Sequence, residues 1–140
     1  MTINDEHILL TIEDTAGVES YDDLRLLSYP KTDVVVICYD ITNTISLKEV
    51  SEMWIHEVRE HAPNKPILLV ANKRDRRDEM NPGDTIKCIS TQEGQNVADG
   101  LNLAAFFETS ALKDPMGLNL VFQEACRWAI NQPTERQGQE

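Results

Sequence analysis

The sequence has 140 residues, of which 13 are basic and 24 acidic, so its formal net charge is −11. A surface this acidic repels nucleic-acid phosphates and anionic lipid heads, and we therefore expect no nucleic-acid partner. The length allows one layered core but not two, and an apolar content of 41% is that of a globular protein.

Cysteine usage and apolar patterning predict a cytoplasmic protein. The three cysteines share no CxxC spacing, and Cys38 in an apolar strand and Cys126 in a helix are expected to pack in the core, as in a reducing compartment. Apolar runs such as residues 34–39 hold about six residues, far fewer than the roughly 20 that a membrane span needs. No apolar signal segment opens the sequence and no CaaX box closes it, so neither secretion nor a stable membrane anchor is expected.

The first half of the sequence predicts two strands and a helix. Residues 7–13 are rich in apolar and β-branched types and lead into a loop, which predicts a strand. Residues 34–39 are apolar almost throughout, as in a parallel strand buried on both faces. Ser46 and Glu49 form a capping-box pattern, and apolar residues then recur at steps of three and four, which predicts a helix over 47–61.

The next stretch predicts two more strands with a helix between them. Residues 67–71 and 105–109 are apolar runs of strand length. The polar residues 74–87 between them predict a loop, because they contain an Asn-Pro-Gly turn signal. A second capping box starts a helix at Ser90, and Gly100 weakens or ends it.

The chain closes on a helix and a polar tail. Apolar residues at helical spacing predict a helix over 118–129, and residues 132–140 are expected to be disordered. Residues 1–131 then form a single domain. Strands that alternate with helices imply right-handed crossovers and a parallel sheet covered on both faces, so the fold class is α/β.

Three short polar clusters each follow a predicted strand. They read DTAG over residues 14–17, NKRD over 72–75 and ETSA over 108–111. Ligands of open α/β sheets bind beyond the carboxyl ends of the strands, and these clusters are therefore expected to form one site.

In this order the clusters resemble the DxxG, NKxD and ETSA motifs with which Ras-superfamily GTPases bind guanine nucleotides. Residues 20–34 are similar to the second switch segment of the Rho-type branch, and residues 54–63 to the helix that follows it. The resemblance implies a three-layer, P-loop NTPase-like α/β domain with a mostly parallel sheet. It also implies a signalling switch that binds GTP or GDP with Mg²⁺ and meets effector or regulator proteins through residues 18–30.

Asp75 is the candidate specificity residue for guanine. Guanine presents N1–H and the N2 amino group side by side, and one carboxylate supplies two acceptors at a matching separation. Adenine has an acceptor at N1 and would face Asp75 with a lone pair, so this single side chain discriminates between the two bases.

Neighbouring residues complete the candidate base site. The Asn72 amide suits contact with the base and bracing of the adjacent loop, and Lys73 suits laying its methylene stem along the ring with its ammonium in water. The Ser110 hydroxyl could orient Asp75, and the Ala111 N–H is a fitting donor for guanine O6.

Further roles are implied by the resemblance alone. Asp14 would hold Mg²⁺ through water, the Gly17 N–H would contact the γ-phosphate, and Leu112 would belong to the nucleotide-binding set. Val18 stands where Rho-type proteins usually carry the glutamine that orients the attacking water, so hydrolysis is expected to be impaired and no catalytic residue is assigned.

The sequence holds no phosphate-binding loop of the form GxxxxGK[ST], since no glycine in it is followed by lysine. We therefore expect an N-terminally truncated domain without the family's first strand, P-loop, first helix and first switch. In the family that first strand lies between those matching 7–13 and 34–39, so these two are expected to pair directly if the chain folds alone. Part of the cover of the helix over 118–129 is expected to be lost.

Several interpretations stay open at this level. The protein could be a Rho-like GTPase, a pseudo-GTPase that presents its switch-like surface without nucleotide, or an unrelated flavodoxin-like domain. Residues 76–79 are expected to be a solvated loop, and the tryptophans and histidines are expected to be packing or surface residues rather than metal ligands. Four apolar residues either bind a partner or close over the core: Tyr21, Leu24, Leu26 and Leu27.

Overall fold

The computed structural model describes residues 1–15, 22–85 and 87–132. It begins with a two-stranded hairpin in which β1 (Thr2–Ile3) pairs antiparallel with β2 (Glu6–His7). Asn4 and Asp5 form its turn, with positive φ angles of 52° and 66°. Asn and Asp tolerate this conformation better than other side chains, which is why they suit a two-residue hairpin loop.

The main sheet has three parallel strands: β3 (Val35–Asp40), β4 (Ile67–Asn72) and β5 (Ala105–Glu108). Their order is β3-β4-β5, so β4 is central, and its residues 67–71 are all buried. This architecture confirms the predicted α/β fold class, and all three strands lie within one residue of their predicted positions.

The described residues form six α-helices. They are α1 (Asp22–Leu26), α2 (Thr44–Glu49), α3 (Ile55–His61), α4 (Asp75–Asp78), α5 (Thr91–Gly100) and α6 (Pro115–Ile130). A π-helical stretch, Val50–Trp54, joins α2 to α3, so the two form one continuous rod. No helix in the described ranges is both long and apolar enough to cross a bilayer.

The core lies mainly between the sheet and the α2–α3 rod. Ile37 and Tyr39 of β3 and Leu69 of β4 pack there with Val50 and Ile55 of the rod, all of them buried. Ile37 and Tyr39 lie two positions apart because every second side chain of a strand points to the same face of the sheet.

The prediction of a strand over residues 7–13 is wrong. Only His7 lies in a strand, residues 8–15 have no regular structure, and Leu9 is 95% exposed. A strand needs a neighbour to take its backbone hydrogen bonds, and here residues 8–11 and 13–15 line an open cavity of about 1090 Å³ together with residues 35–38 of β3. The expected direct pairing of the first two predicted strands is therefore wrong as well.

The far side of β3 is consequently a free edge within the described residues. Val35 and Ile41 donate their N–H groups to Pro66 and Asn72 on the β4 side, so the backbone of alternate residues such as Cys38 points the other way. Cys38 is exposed, and the expectation that it packs in the core is wrong because it lies at this edge. Cys126 on α6 is buried, as predicted.

The start of the α2–α3 rod also differs from its prediction. Asn43, not Ser46, is the N-cap, and its Oδ1 accepts from the N–H groups of Ile45 and Ser46 at 3.0 and 3.3 Å. Ser46 lies inside the first turn, where its Oγ accepts from the Asp40 N–H at 3.0 Å. The predicted capping box is thus wrong, because the asparagine three residues earlier was an equally good cap.

The predictions for α5 and for the polar loop before it have mixed outcomes. Ser90 caps α5 by accepting from the Glu93 N–H at 3.1 Å, and the helix ends at Gly100, both as predicted. Residues 74–87 are not all loop, since α4 occupies Asp75–Asp78. The polar tail from 133 onwards lies outside the described residues.

Replacing Gly94 with alanine is expected to destabilise the fold by about 1–3 kcal/mol. A Cβ at this position of α5 would lie 2.2 Å from the Tyr39 hydroxyl and 2.6 Å from Cζ of Phe106. Urea unfolding followed by circular dichroism measures the effect. Gly100→Ala in the same helix is the matched control, because its Cβ would meet nothing within 4 Å. A Gly94→Ala variant as stable as Gly100→Ala would contradict the packing described here.

Candidate functional site

The loops that follow β4 and β5 are joined by hydrogen bonds at the carboxyl edge of the sheet. The Thr109 N–H donates to the Ala71 carbonyl at 2.8 Å, and the Arg74 N–H donates to the Thr109 carbonyl at 2.9 Å. Asn72 adds a side-chain link, since its Oδ1 accepts from the Thr109 hydroxyl at 3.2 Å. The NKRD and ETSA clusters therefore form one continuous surface.

Asp75 and Ser110 lie at the centre of this surface. The Ser110 hydroxyl donates to Asp75 Oδ1 at 2.8 Å, and the two residues are only 7% and 1% exposed. Within the described residues the second carboxylate oxygen of Asp75, Oδ2, accepts no hydrogen bond. Since each carboxylate oxygen has two lone pairs, both oxygens keep capacity for a ligand with two adjacent donors.

Ala111 follows Ser110 at the surface and is exposed. Its N–H donates to no acceptor in the part of the chain that the structure describes. The neighbouring Leu112 is 77% exposed. Asp75, with acceptor capacity, and Ala111, with a free N–H, thus both belong to the surface formed by the NKRD and ETSA clusters.

Lys73 has a partner that its motif did not predict. Its ammonium lies 2.8 Å from Asp40 Oδ2 at the end of β3, rather than free in water. Burial alone would raise the pKa of Asp40, but its bonds to Lys73 and Thr42 hold it below the ordinary value. Lys73 also has a φ of +67°, the left-handed region that a lysine seldom adopts, so the loop turns sharply at this residue.

The family resemblance assigns Asp14 to Mg²⁺ and Gly17 to the γ-phosphate, and it places Val18 where the water-orienting glutamine is expected. Asp14 is exposed in an irregular segment, and Gly17 and Val18 lie outside the described residues. No group of three or more His, Cys, Asp or Glu side chains in the described ranges could hold a metal ion. Asp14 by itself supplies one carboxylate, so its assignment to Mg²⁺ stays what the family resemblance implies.

Arg77 is not part of a solvated loop, which corrects the expectation for residues 76–79. Its guanidinium lies 2.7 Å from Glu108 Oε2, and Thr91 donates to Glu108 Oε1 at 2.6 Å. Burial alone would raise the pKa of Glu108, yet the bonds from Arg77 and Thr91 hold it below its ordinary value. The ion pair ties the α4 segment to the end of β5, directly before Thr109.

Stability is expected to fall in acid partly through Glu108. Because its folded pKa is depressed, its contribution is present above the unfolded pKa of about 4.3 and is lost as the pH falls through the folded value. Urea unfolding of the wild type should show a falling free energy between about pH 5 and pH 3. Glu108→Gln should show a shallower slope over that interval, and an identical slope would contradict this assignment.

A second polar cluster fixes the segment that precedes β3. Arg25 of α1 is 7% exposed and binds Glu57 of α3 through two bonds of 2.9 and 2.8 Å. The Tyr29 hydroxyl donates to the same carboxylate at 2.5 Å. Leu26 packs against the core, whereas Leu24 and Leu27 are 66% and 73% exposed. Of the two alternatives left open by the sequence, Leu26 closes over the core, whereas Leu24 and Leu27 are accessible to a partner. Tyr21 lies outside the described residues.

The motifs missed three polar partners in the site. Asp40 could have been noticed as a carboxylate at the end of a strand on the ligand side of the sheet. Asp114 precedes Pro115, and an aspartate before proline is a helix-start signal: its Oδ1 accepts from the Gly117 N–H at 3.0 Å. Arg77 carried no local signal, because its partner Glu108 lies far along the chain.

A parallel α/β sheet whose NKRD and ETSA loops meet at its carboxyl edge defines a small GTPase-type domain. A sequence model of the Ras family matches residues 1–131, and the chain therefore belongs to the Ras family. Members of this family in general bind GTP or GDP with Mg²⁺ and interact with effectors and regulators.

Proposed function

We propose that this chain recognises the guanine base of GDP or GTP, as a signalling domain of the Rho-like branch. One observation carries the proposal: the buried Asp75 is oriented by Ser110 at 2.8 Å with acceptor capacity left on both oxygens, beside the free N–H of Ala111. Asn72 and Lys73 would flank the base, and Leu112 would border it.

The Rho-like assignment rests on two segments. Residues 20–34 are similar to the Rho-type second switch, and this stretch includes the helix α1 and the buried Arg25. Asp75 and Ser110 are 35 positions apart, and this interval is long enough for a shortened form of the Rho-type helical insert. The helix α4 begins at Asp75, at the start of the interval.

The 140-residue chain is proposed to bind the nucleotide phosphates weakly and to hydrolyse GTP slowly. The sequence has no lysine directly after a glycine, and its net charge of −11 opposes a polyphosphate. Base contacts alone correspond to a dissociation constant on the order of millimolar. Val18 has no group that could orient water, and Asp14 is the one residue that the family resemblance assigns to Mg²⁺.

A second candidate function is a nucleotide-independent interaction module. Leu24 and Leu27 are exposed on a segment that the Arg25–Glu57 ion pair holds in place. Exposed apolar side chains on a fixed scaffold suit protein binding, and the proposed partners are effectors or regulators of Rho-type GTPases.

Paired titrations with GDP and ADP test the first candidate. Both carry the same phosphates, so a difference in affinity reports the base alone. We expect GDP to bind more tightly than ADP, and a Ser110→Ala variant to lose most of this difference because Asp75 is no longer oriented. Equal affinity for the two nucleotides, or none for either, would overturn the guanine assignment. In that case, loss of partner binding in a Leu24→Ser, Leu27→Ser variant would support the interaction module.

A further inference from the structure

Arg74, the variable residue of the NKRD cluster, donates three hydrogen bonds that all end in residues 108–114. Its N–H reaches the Thr109 carbonyl at 2.9 Å, its Nη1 reaches the Glu108 carbonyl at 3.4 Å, and its Nη2 reaches Asp114 Oδ2 at 3.3 Å. The side chain is 36% exposed. The guanidinium of a surface arginine usually donates to water, so three hydrogen bonds from Arg74 to one loop call for a structural explanation.

The contacts of Arg74 close a ring that contains the base site. Arg74 holds Asp114, the Asp114 N–H donates to the Ser110 carbonyl at 2.7 Å, and the Ser110 hydroxyl donates to Asp75 at 2.8 Å. Asp75 is bonded covalently to Arg74, which completes the ring. The Lys113 N–H also donates to Ser110 Oγ at 3.0 Å, so the turn over 110–114 sets the direction of the serine hydroxyl.

Gly117 leaves the space that this arrangement needs. A Cβ there would lie 2.4 Å from Asp114 Oδ2, the same oxygen that receives Arg74. Asp114 Oδ1 meanwhile caps α6 through the Gly117 N–H. The carboxylate of Asp114 therefore sits directly against the first turn of α6, where a Cβ at position 117 would force it to shift, with one oxygen bonded to the helix and one to Arg74.

We infer that Arg74 and Asp114 are positioning residues for guanine recognition: their ion pair sets the turn that aims Ser110 at Asp75. This inference rests on the proposed function, since it names residues that act through the proposed base contacts. Neither residue is assigned a contact with the nucleotide. An exposed pair of this kind contributes little to global stability, so its loss should affect the site more than the fold.

Affinities of the full 140-residue chain for GDP and ADP test the inference. Arg74→Met and Asp114→Asn, which retains the cap oxygen, should each lower GDP affinity by roughly three- to fivefold more than ADP affinity, which should change only by the general effect of the altered charge. The double variant should lose no more than either single variant, because both break one interaction. Gly117→Ala should act in the same direction with no charge removed, and Arg74→Lys should retain part of the affinity.

Arg76→Met is the matched control. It removes the same charge from the neighbouring, exposed position, so it reports the general electrostatic effect on an anionic ligand. The inference is overturned if Arg74→Met weakens GDP and ADP equally, if it matches Arg76→Met, or if the two single effects multiply in the double variant.

A measurement without nucleotide separates this inference from the proposed function. If the wild type shows no preference for GDP, the guanine site is refuted, and amide hydrogen exchange at Lys113 then decides the positioning claim. Faster exchange of the Lys113 N–H in Arg74→Met than in Arg76→Met would support the ring of contacts. Equal exchange in the two variants would refute it.

Discussion

Replacing Glu57 with glutamine is expected to lower the free energy of unfolding by about 1.5–3 kcal/mol, because the Arg25 guanidinium and the Tyr29 hydroxyl lose a charged acceptor. Arg25 is 7% exposed, and the substitution leaves its guanidinium buried against a neutral side chain that accepts only one of the two bonds. The Trp54 ring, whose centre lies 4.9 Å from the guanidinium carbon, packs over the same side chain. The Arg25 bonds also hold the pKa of Glu57 below its usual value, which shows that the pair favours the ionised form.

Chemical denaturation of Glu57→Gln measures this effect. The matched control is Glu52→Gln on the same rod, since Glu52 pairs with Lys48 at 3.8 Å in an exposed position. That pair should contribute less than about 1 kcal/mol. Similar losses for the two variants would show that α1 is not anchored through a buried ion pair.

The second large effect is expected at Asp75. Asp75→Asn should reduce GDP affinity by about 10- to 100-fold, because a carboxamide offers one acceptor where guanine presents two donors. The same variant should bind xanthosine diphosphate better than GDP. Xanthine carries a carbonyl in place of the guanine amino group, and the amide NH₂ matches it. The change of preference, rather than the loss alone, identifies direct contact with the base.

Competition titrations with GDP, XDP and ADP measure this preference. Asp78→Asn serves as the control, because Asp78 is an exposed carboxylate in the same short helix, α4. An Asp75→Asn variant that weakens all three nucleotides alike would indicate structural damage and argue against base recognition.

The strands of the main sheet could be predicted closely because each of them is a short apolar run in the sequence. Residues 67–71 are apolar without interruption, and β4 is buried along this whole run in the middle of the sheet. The apolar run 34–39 was equally clear. Its location at a free edge was not, because composition reports a preference for burial and not the presence of a neighbour.

Residues 7–13 illustrate the same limit. Their apolar and β-branched character suits a strand, yet beyond Ile8 the segment pairs with no strand in the described residues and borders a cavity. Cys38 is exposed for the same reason. The misplaced cap of α2 has another origin: Asn43 and Ser46 both suit an N-cap, and in the structure Asn43 caps the helix while Ser46 Oγ accepts from the Asp40 N–H.

The candidate site was predictable where its residues belong to the NKRD and ETSA motifs, since each of these two lies at the end of a strand. Its supporting pairs were not predictable. Lys73 meets Asp40 and Arg74 meets Asp114, and these residues lie on different elements of the fold. Such pairs depend on how the strands are ordered in the sheet, which sequence periodicity does not report.

The most direct test of the guanine site is a ¹⁵N-resolved NMR titration of the chain with GDP. We expect the Ala111 amide to move downfield as its free N–H meets guanine O6, with smaller shifts at Asp75 and Lys73, and no such shift with ADP. Shifts confined to other parts of the chain, or identical shifts with ADP, would contradict the account.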